Sequence, residues 1–159
     1  MPTELIAVLA FVIAVVVVAV LARKSTLEQL PRLPGEVVRL EEGPVTVTQG
    51  VRGRRKTKFI RSVVQVTDQR VIVAQKVMLS KKHALRVVIT LTDEESVVGE
   101  AALDRAFVRV RVGRSFLARQ LEREAGELVL PMRGGLLLVE QLLTIPLGDA
   151  AAWREALTP

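Results

Sequence analysis

The chain has 159 residues, with 23 Lys/Arg against 17 Asp/Glu, a formal net charge of +6 and no cysteine. The absence of cysteine excludes disulfides, thiolate zinc sites and thiol catalysis. The length is sufficient for one domain with its own core, but it is too short for two domains of ordinary size.

The first predicted element is an apolar helix from Leu5 to Ala22. At about 1.5 Å per residue it spans roughly 27 Å, close to the roughly 30 Å core of a bilayer, so residues 1–24 are predicted as a transmembrane anchor. Arg23 and Lys24 follow. The positive-inside rule then predicts a single-pass protein of the inner cell membrane, with its N-terminus outside and its domain cytoplasmic. The alternative is a cleaved signal peptide and a secreted domain.

Residues 25–36 contain Pro31, Pro34 and Gly35, which is typical of a tether. Residues 37–159 then form the domain. Its first half is rich in Val and alternates apolar with polar residues, which predicts β-strands. The residues from Thr67 to Arg70 suit a turn between two antiparallel strands. The strands are predicted at 45–48, 63–66, 71–79, 85–91 and 107–112.

In the second half of the domain, the sequence pattern predicts the secondary structure unambiguously only near the C-terminal end. A strand is predicted at 127–132, residues 136–145 fit a strand or a helix, and residues 114–125 have helical spacing that Gly126 soon ends. Asp149 precedes a short amphipathic helix at 150–157 that carries Trp153. We therefore expect a mainly β domain, a bent and partly open antiparallel barrel capped by a C-terminal helix.

Four features resemble a bacterial pleckstrin-homology-like (PH-like, GRAM-related) domain. They are Pro34-Gly35-Glu36-Val37-Val38, the hairpin around Val66-Thr-Asp-Gln-Arg-Val71, the strands after it, and the closing helix from Asp149 to Leu157. The resemblance covers most of residues 34–157. Members of this family often carry one or more membrane helices. It implies a seven-stranded bent barrel with a terminal helix. It implies no activity, since one fold hosts many functions.

The sequence offers little for catalysis. Its single histidine, His83, lies beside two lysines, which is typical of a solvated loop, and no paired nucleophile and base is evident. The adjacent carboxylates Asp93, Glu94 and Glu95 could bind a divalent cation but fit a solvated turn better. The glycine pairs lack the rest of any phosphate-binding motif. We predict no enzymatic activity, no catalytic residue, no metal and no cofactor.

One run of basic residues stands out, from Gly50 to Arg61, because it contains six cations and no acid. In the PH-like family this position lies between early strands, where lipid-binding members place cations that hold phosphorylated headgroups. Arginine suits phosphate because its guanidinium can bind two oxygens at once. The candidate lipid-binding or partner-binding residues are Arg52, Arg54, Arg55, Lys56, Lys58 and Arg61.

Two other interpretations of the run stay open. It could be a solvated hairpin loop whose charge reinforces cytoplasmic retention. The other is nucleic-acid binding, the less favoured of the two and not expected, because Phe59 is the only aromatic residue among the cations and further stacking partners are missing.

The sequence thus predicts a membrane-anchored, non-enzymatic binding or scaffolding module. Its partners would be the bilayer, through Leu5 to Ala22, and anionic phospholipid headgroups or a partner protein, through the basic run. The alternative is a structural subunit of a membrane complex that docks through an exposed sheet edge, with the basic loop merely solvated.

Overall fold

The computed structural model describes residues 3–21, 25–104, 106–123, 126–134 and 137–158, without the side chains of residues 17–21 and 137–138. The elements in chain order are helix α1 (Thr3–Leu21), strands β1 (Val38–Gly50), β2 (Thr57–Thr67), β3 (Arg70–Lys76), β4 (His83–Thr92), β5 (Glu100–Asp104) and β6 (Phe107–Gly113), helix α2 (Arg114–Arg123), strands β7 (Glu127–Gly134) and β8 (Leu137–Pro146), and helix α3 (Ala150–Leu157). A 3₁₀ turn covers Leu27–Gln29.

The eight strands form a closed barrel in the order β1-β2-β3-β4-β6-β5-β7-β8. Most neighbours are antiparallel, but β4 pairs with β6, and β5 with β7, in parallel. The ring closes through three residue pairs between β1 and β8. The predicted partly open antiparallel barrel is therefore wrong. Residues 137–146 supply an additional long strand, and its pairing with both β7 and β1 closes the sheet.

The core is formed by alternate aliphatic residues of the strands and by side chains from helices α2 and α3. Leu117 and Leu121 of α2 and Trp153 of α3 all belong to this core cluster and are buried. The helix predicted at 150–157 is confirmed, and Asp149 caps it by accepting hydrogen bonds from the backbone N–H groups of Ala151 and Ala152. Arg114 fixes this end of the barrel, because its guanidinium donates to the backbone carbonyls of Leu157 and Asp68.

The other predicted helices and strands can be compared directly with those of the structure. The hairpin around residues 67–70 is confirmed, since β2 and β3 pair from Ser62↔Gln75 to Val66↔Val71. The ambiguous 114–125 segment forms α2, and the Leu-rich 136–145 segment forms β8. The strand predicted over 71–79 ends at Lys76, and β5 lies where no strand was predicted.

Residues 25–36, predicted as a tether, lie against the barrel wall. Thr26 forms a β-bridge with Ala84, and the N–H of Leu85 donates to the Ser25 carbonyl at 2.9 Å. Leu27 and Leu30 pack on a second apolar cluster outside the main core. This cluster consists of Ile72, Ala74, Leu85, Val88 and Phe107. We call residues 25–36 the strap.

In the part of the chain that the structure describes, no helix is long and apolar enough to cross a membrane. This finding contradicts the predicted transmembrane anchor and, with it, the single-pass inner-membrane placement. The end of the predicted apolar helix at Ala22 and the basic flank, Arg23 and Lys24, lie outside the described residues.

Candidate binding surface

The β1–β2 hairpin forms an arm that extends beyond the neighbouring strand. The β1–β2 ladder continues to Gln49↔Thr57, whereas the β2–β3 ladder ends at Ser62↔Gln75. Across the hairpin, β1 also pairs with β8 through residues 48–50. Alternating Val and Thr in β1 favour the extended conformation, and the turn at 51–56 contains Gly53. We call residues 48–61 the arm.

All six cations of the predicted site lie on this arm and all are exposed. Arg52, Arg54, Arg55 and Lys56 occupy the turn, whereas Lys58 and Arg61 lie on β2. Among the described residues, none of them has a carboxylate oxygen within 4.0 Å, since the ion pairs all involve other cations. The structure thus brings the predicted residues together on one hairpin, where none of them forms an ion pair with a described acid.

A second basic turn lies at the same end of the barrel. Since β2 and β3 are antiparallel neighbours, the beginning of β2 and the end of β3 lie side by side, and the β3–β4 turn follows directly. This turn contributes Lys76, Lys81 and Lys82, all exposed. Sequence analysis missed it, although Lys81-Lys82 is a visible signal. Residues 51–61 and 76–82 together contain nine cations and no acid, and we call them the basic end.

The basic end also carries exposed apolar side chains. Met78 and Leu79, at the tip of the β3–β4 turn, have relative exposures of 82% and 106%, and Ile60 on the arm is 54% exposed. The only aromatic residue of the arm is less accessible. Phe59 packs partly on the main core, and the Arg86 guanidinium lies 5.4 Å from its ring centroid.

A buried ion pair holds the strap on the barrel. The Arg70 guanidinium contacts both carboxylate oxygens of Glu36, at 2.6 and 2.8 Å, and the side chains are 8% and 1% exposed. Glu36 also accepts hydrogen bonds from the Leu33 N–H and the Thr67 hydroxyl. Burial acts to raise the pKa of Glu36, but the Arg70 hydrogen bonds and these two donors outweigh it and lower the pKa below its ordinary value.

A groove of about 490 Å³ runs between the strap and strands β2 and β3. Most of its charged groups have partners within the protein, and only the exposed Arg32 has none among the described residues. Beyond the Glu36–Arg70 pair, Glu28 accepts from the His83 backbone and lies 3.1 Å from the His83 ring, and Glu41 accepts from Gln65 at 2.6 Å. The acidic groups of the groove are thus engaged within the protein, and the Glu36–Arg70 and Glu28–His83 pairs attach the strap to the barrel.

The acidic run after β4 forms part of a surface network. Glu94 and Glu100 lie near Arg111, at 3.8 and 3.2 Å, and Asp93 lies 3.9 Å from Arg114. Within the described ranges, no group of three or more candidate metal ligands converges. A cavity of about 450 Å³ opens between α2 and α3, with Ser115 on its wall, but His83 does not line it. This arrangement does not give Ser115 a histidine as a base.

Comparison with known proteins identifies no relative. The chain matches no protein-family model, no curated protein and no solved structure. The resemblance to PH-like domains therefore stays a prediction, and the functional argument rests on the surface itself.

Proposed function

We propose that the protein is a non-enzymatic binding module whose basic end binds an acidic segment of a partner protein. The observation that supports the proposal is the concentration of nine cations, without one acid, in residues 51–61 and 76–82. The six on the arm were predicted as a binding site. The three on the β3–β4 turn enlarge that site at the same end of the barrel.

The physical consequence is a field of one sign over this end. Several like charges that are not neutralised by neighbouring acids attract an acidic partner and accelerate its encounter with the correct face. Each exposed ion pair is weak, so affinity must come from several contacts at once. Because the Debye length is about 8 Å at physiological ionic strength, binding should weaken as salt is added.

The observations favour a protein over the other polyanions. The lipid expectation drew part of its support from an anchor that would hold the domain at a bilayer, and that anchor is contradicted. For single-stranded nucleic acid, base stacking needs accessible aromatic rings. Phe59 is the only aromatic residue of the arm, and its ring is partly buried and near Arg86.

A scaffold that docks through a sheet edge remains the second candidate, because of one observation. Residues 57–59 of β2 pair with β1 but lie beyond the β2–β3 ladder, so the arm has a short edge where a strand could add. Two features oppose strand addition there. The Ser62 hydroxyl donates to the Phe59 carbonyl at 2.8 Å, and Lys58 lies on the edge, where lysine discourages pairing.

Fluorescence anisotropy with the full chain tests the proposal. The probe is a labelled peptide of sixteen glutamates, and the variant is Arg54→Ser with Arg55→Ser. The matched control is Arg119→Ser with Arg123→Ser, which removes the same charge from exposed positions on α2. We expect the arm variant to bind about threefold to tenfold more weakly, as the loss of two exposed ion pairs implies, and the control to bind like the wild type.

Three outcomes would overturn the proposal. The first is no measurable binding of the glutamate peptide by the wild type at low salt. The second is an equal loss in the arm and control variants, because this would show attraction to net charge alone. The third is binding of vesicles containing phosphatidylserine in preference to the peptide, because this would identify a lipid surface as the partner.

A further inference from the structure

The tip of the β3–β4 turn has a defined shape. The Val77 N–H donates to the Lys82 carbonyl at 3.0 Å, the Ser80 N–H donates to the Val77 carbonyl at 3.2 Å, and the Lys82 N–H donates to the Ser80 hydroxyl at 3.1 Å. These bonds hold Met78 and Leu79 at the outermost point of the turn, where both side chains are almost entirely exposed.

Folding does not account for a leucine at position 79. Its backbone φ is +59°, a left-handed conformation in which glycine or asparagine is favoured and other residues are strained. Its side chain is fully exposed, so no burial compensates for this strain. A single exposed leucine is ordinary on a protein surface. A leucine in a strained backbone conformation, beside a methionine that is also largely exposed, is not ordinary. Such conformational outliers point towards function.

We infer that Met78 and Leu79 form an apolar anchor for the acidic partner, an inference that rests on the proposed function. Lys76 precedes the anchor along the chain, and Lys81 and Lys82 follow it. A partner that covers it must bring carboxylates to these lysines and apolar side chains to the two exposed residues. The occupant is therefore an acidic protein segment with large apolar residues between its carboxylates. Methionine suits this contact because its flexible side chain adapts to varied apolar surfaces.

Two labelled peptides of equal charge test the anchor on the full chain. One alternates glutamate with leucine over sixteen residues, and the other alternates glutamate with serine. We expect the wild type to bind the leucine peptide at least about tenfold more tightly, the order expected for burying a leucine side chain. Leu79→Asn should remove most of that preference, because it should weaken binding of the leucine peptide far more than binding of the serine peptide.

The same variant provides a second, independent readout. Asparagine tolerates the left-handed conformation, so Leu79→Asn should leave the thermal midpoint unchanged or raise it. A merely structural leucine would instead lower the midpoint when replaced. The matched control is Val37→Asn, which removes a side chain that is 59% exposed but belongs to neither basic segment. It should keep the full preference for the leucine peptide.

Failure of the anchor is distinguishable from failure of the proposed function. If both peptides bind with equal affinity, the basic end binds acidic partners but the anchor is refuted. The anchor is also refuted if Leu79→Asn weakens both peptides equally, because the turn would then act only by placing its lysines. If neither peptide binds, the proposed function itself fails. If Leu79→Asn reduces binding only to vesicles containing phosphatidylserine, a bilayer replaces the acidic segment as occupant.

Discussion

The carboxylate of Glu36 and the guanidinium of Arg70 form a buried ion pair in which Arg70 donates from two nitrogens, at 2.6 and 2.8 Å. Arg70 also donates to the Pro31 carbonyl at 2.7 Å. One side chain at the start of β3 thus holds two points of the strap. The Thr67 hydroxyl completes the network, because it donates to the Glu36 carboxylate and accepts from the backbone N–H of Arg70.

This pair connects two segments that the sequence analysis had noted separately. Glu36 belongs to Pro34-Gly35-Glu36, and Arg70 closes Thr67-Asp-Gln-Arg70. Both segments contributed to the PH-like resemblance, and in the structure they are in direct contact. Their common role in this chain is therefore structural, since the pair attaches the strap to the β2–β3 turn and leaves neither charge free for a ligand.

Removal of the Glu36 charge should strongly destabilise the protein. Glu36→Gln leaves the Arg70 guanidinium buried without a counter-ion, and breaking a buried pair in this way costs about 3–5 kcal/mol. Urea denaturation measures the free energy of unfolding. The matched control is Glu41→Gln, because the Glu41 carboxylate accepts from Gln65 in an exposed position. A loss in Glu36→Gln no larger than in this control would contradict the structural role.

The same pair predicts acid sensitivity. Its hydrogen bonds hold the pKa of folded Glu36 below the ordinary value of about 4.3 for the unfolded chain. The resulting stabilisation is present in full above the unfolded pKa and is lost as the pH falls through the folded pKa. Thermal unfolding of the wild type and Glu36→Gln between pH 2.5 and 7 should show a difference in stability that is constant near neutrality and shrinks below about pH 4. A pH-independent difference would contradict this mechanism.

The sequence could predict those elements whose determinants are local. The β2–β3 hairpin follows from Val-rich segments around a polar turn, and α3 follows from the Asp149 cap and its apolar face. β5 was missed because Glu100-Ala-Ala-Leu-Asp104 has neither β-branched residues nor strict alternation. Closure of the barrel could not be foreseen, because the parallel pairing of β4 with β6 and the β1–β8 contact join segments that are distant along the chain.

The candidate surface was predictable only in part for the same reason. The arm appears in the sequence as one uninterrupted basic run. Lys76, Lys81 and Lys82 join it only through the antiparallel pairing of β2 with β3. The exposure of Met78 and Leu79 was not predicted, because two apolar residues after a Val-rich segment are typical of a strand that continues. A turn at that point, held by the Val77–Lys82 hydrogen bond, exposes both side chains.

The cap of α3 gives a smaller but well-defined effect. Asp149 accepts from the N–H groups of Ala151 and Ala152 at 2.9 and 3.2 Å. Asp149→Ala should lower the free energy of unfolding by about 1 kcal/mol, and Asp149→Asn, which keeps an accepting oxygen, by less. Denaturation in urea distinguishes the two. Equal losses would show that the capping oxygen does not stabilise the helix, and that the charge of Asp149 does.

The junction between β5 and β7 gives the sharpest test of barrel closure. Gly99 has a φ of +66°, and a Cβ added there would overlap the Pro131 carbonyl of β7. Its own carbonyl accepts from the Arg133 N–H at 2.8 Å, beside the Glu100↔Arg133 pair that joins the two strands. Gly99→Ala must therefore displace β7 as well as strain the backbone, and we expect it to cost more than about 3 kcal/mol or to prevent folding.

Gly53 in the arm supplies the matched control for this prediction. Its φ of +75° imposes a similar backbone strain, but a Cβ there would meet no atom within 4 Å. Gly53→Ala should therefore cost only about 1 kcal/mol, the strain of a left-handed alanine. Chemical denaturation of the two variants, with circular dichroism to detect an unfolded Gly99→Ala, measures the difference. Similar losses for the two variants would mean that β7 does not approach β5 as closely as the closed barrel requires.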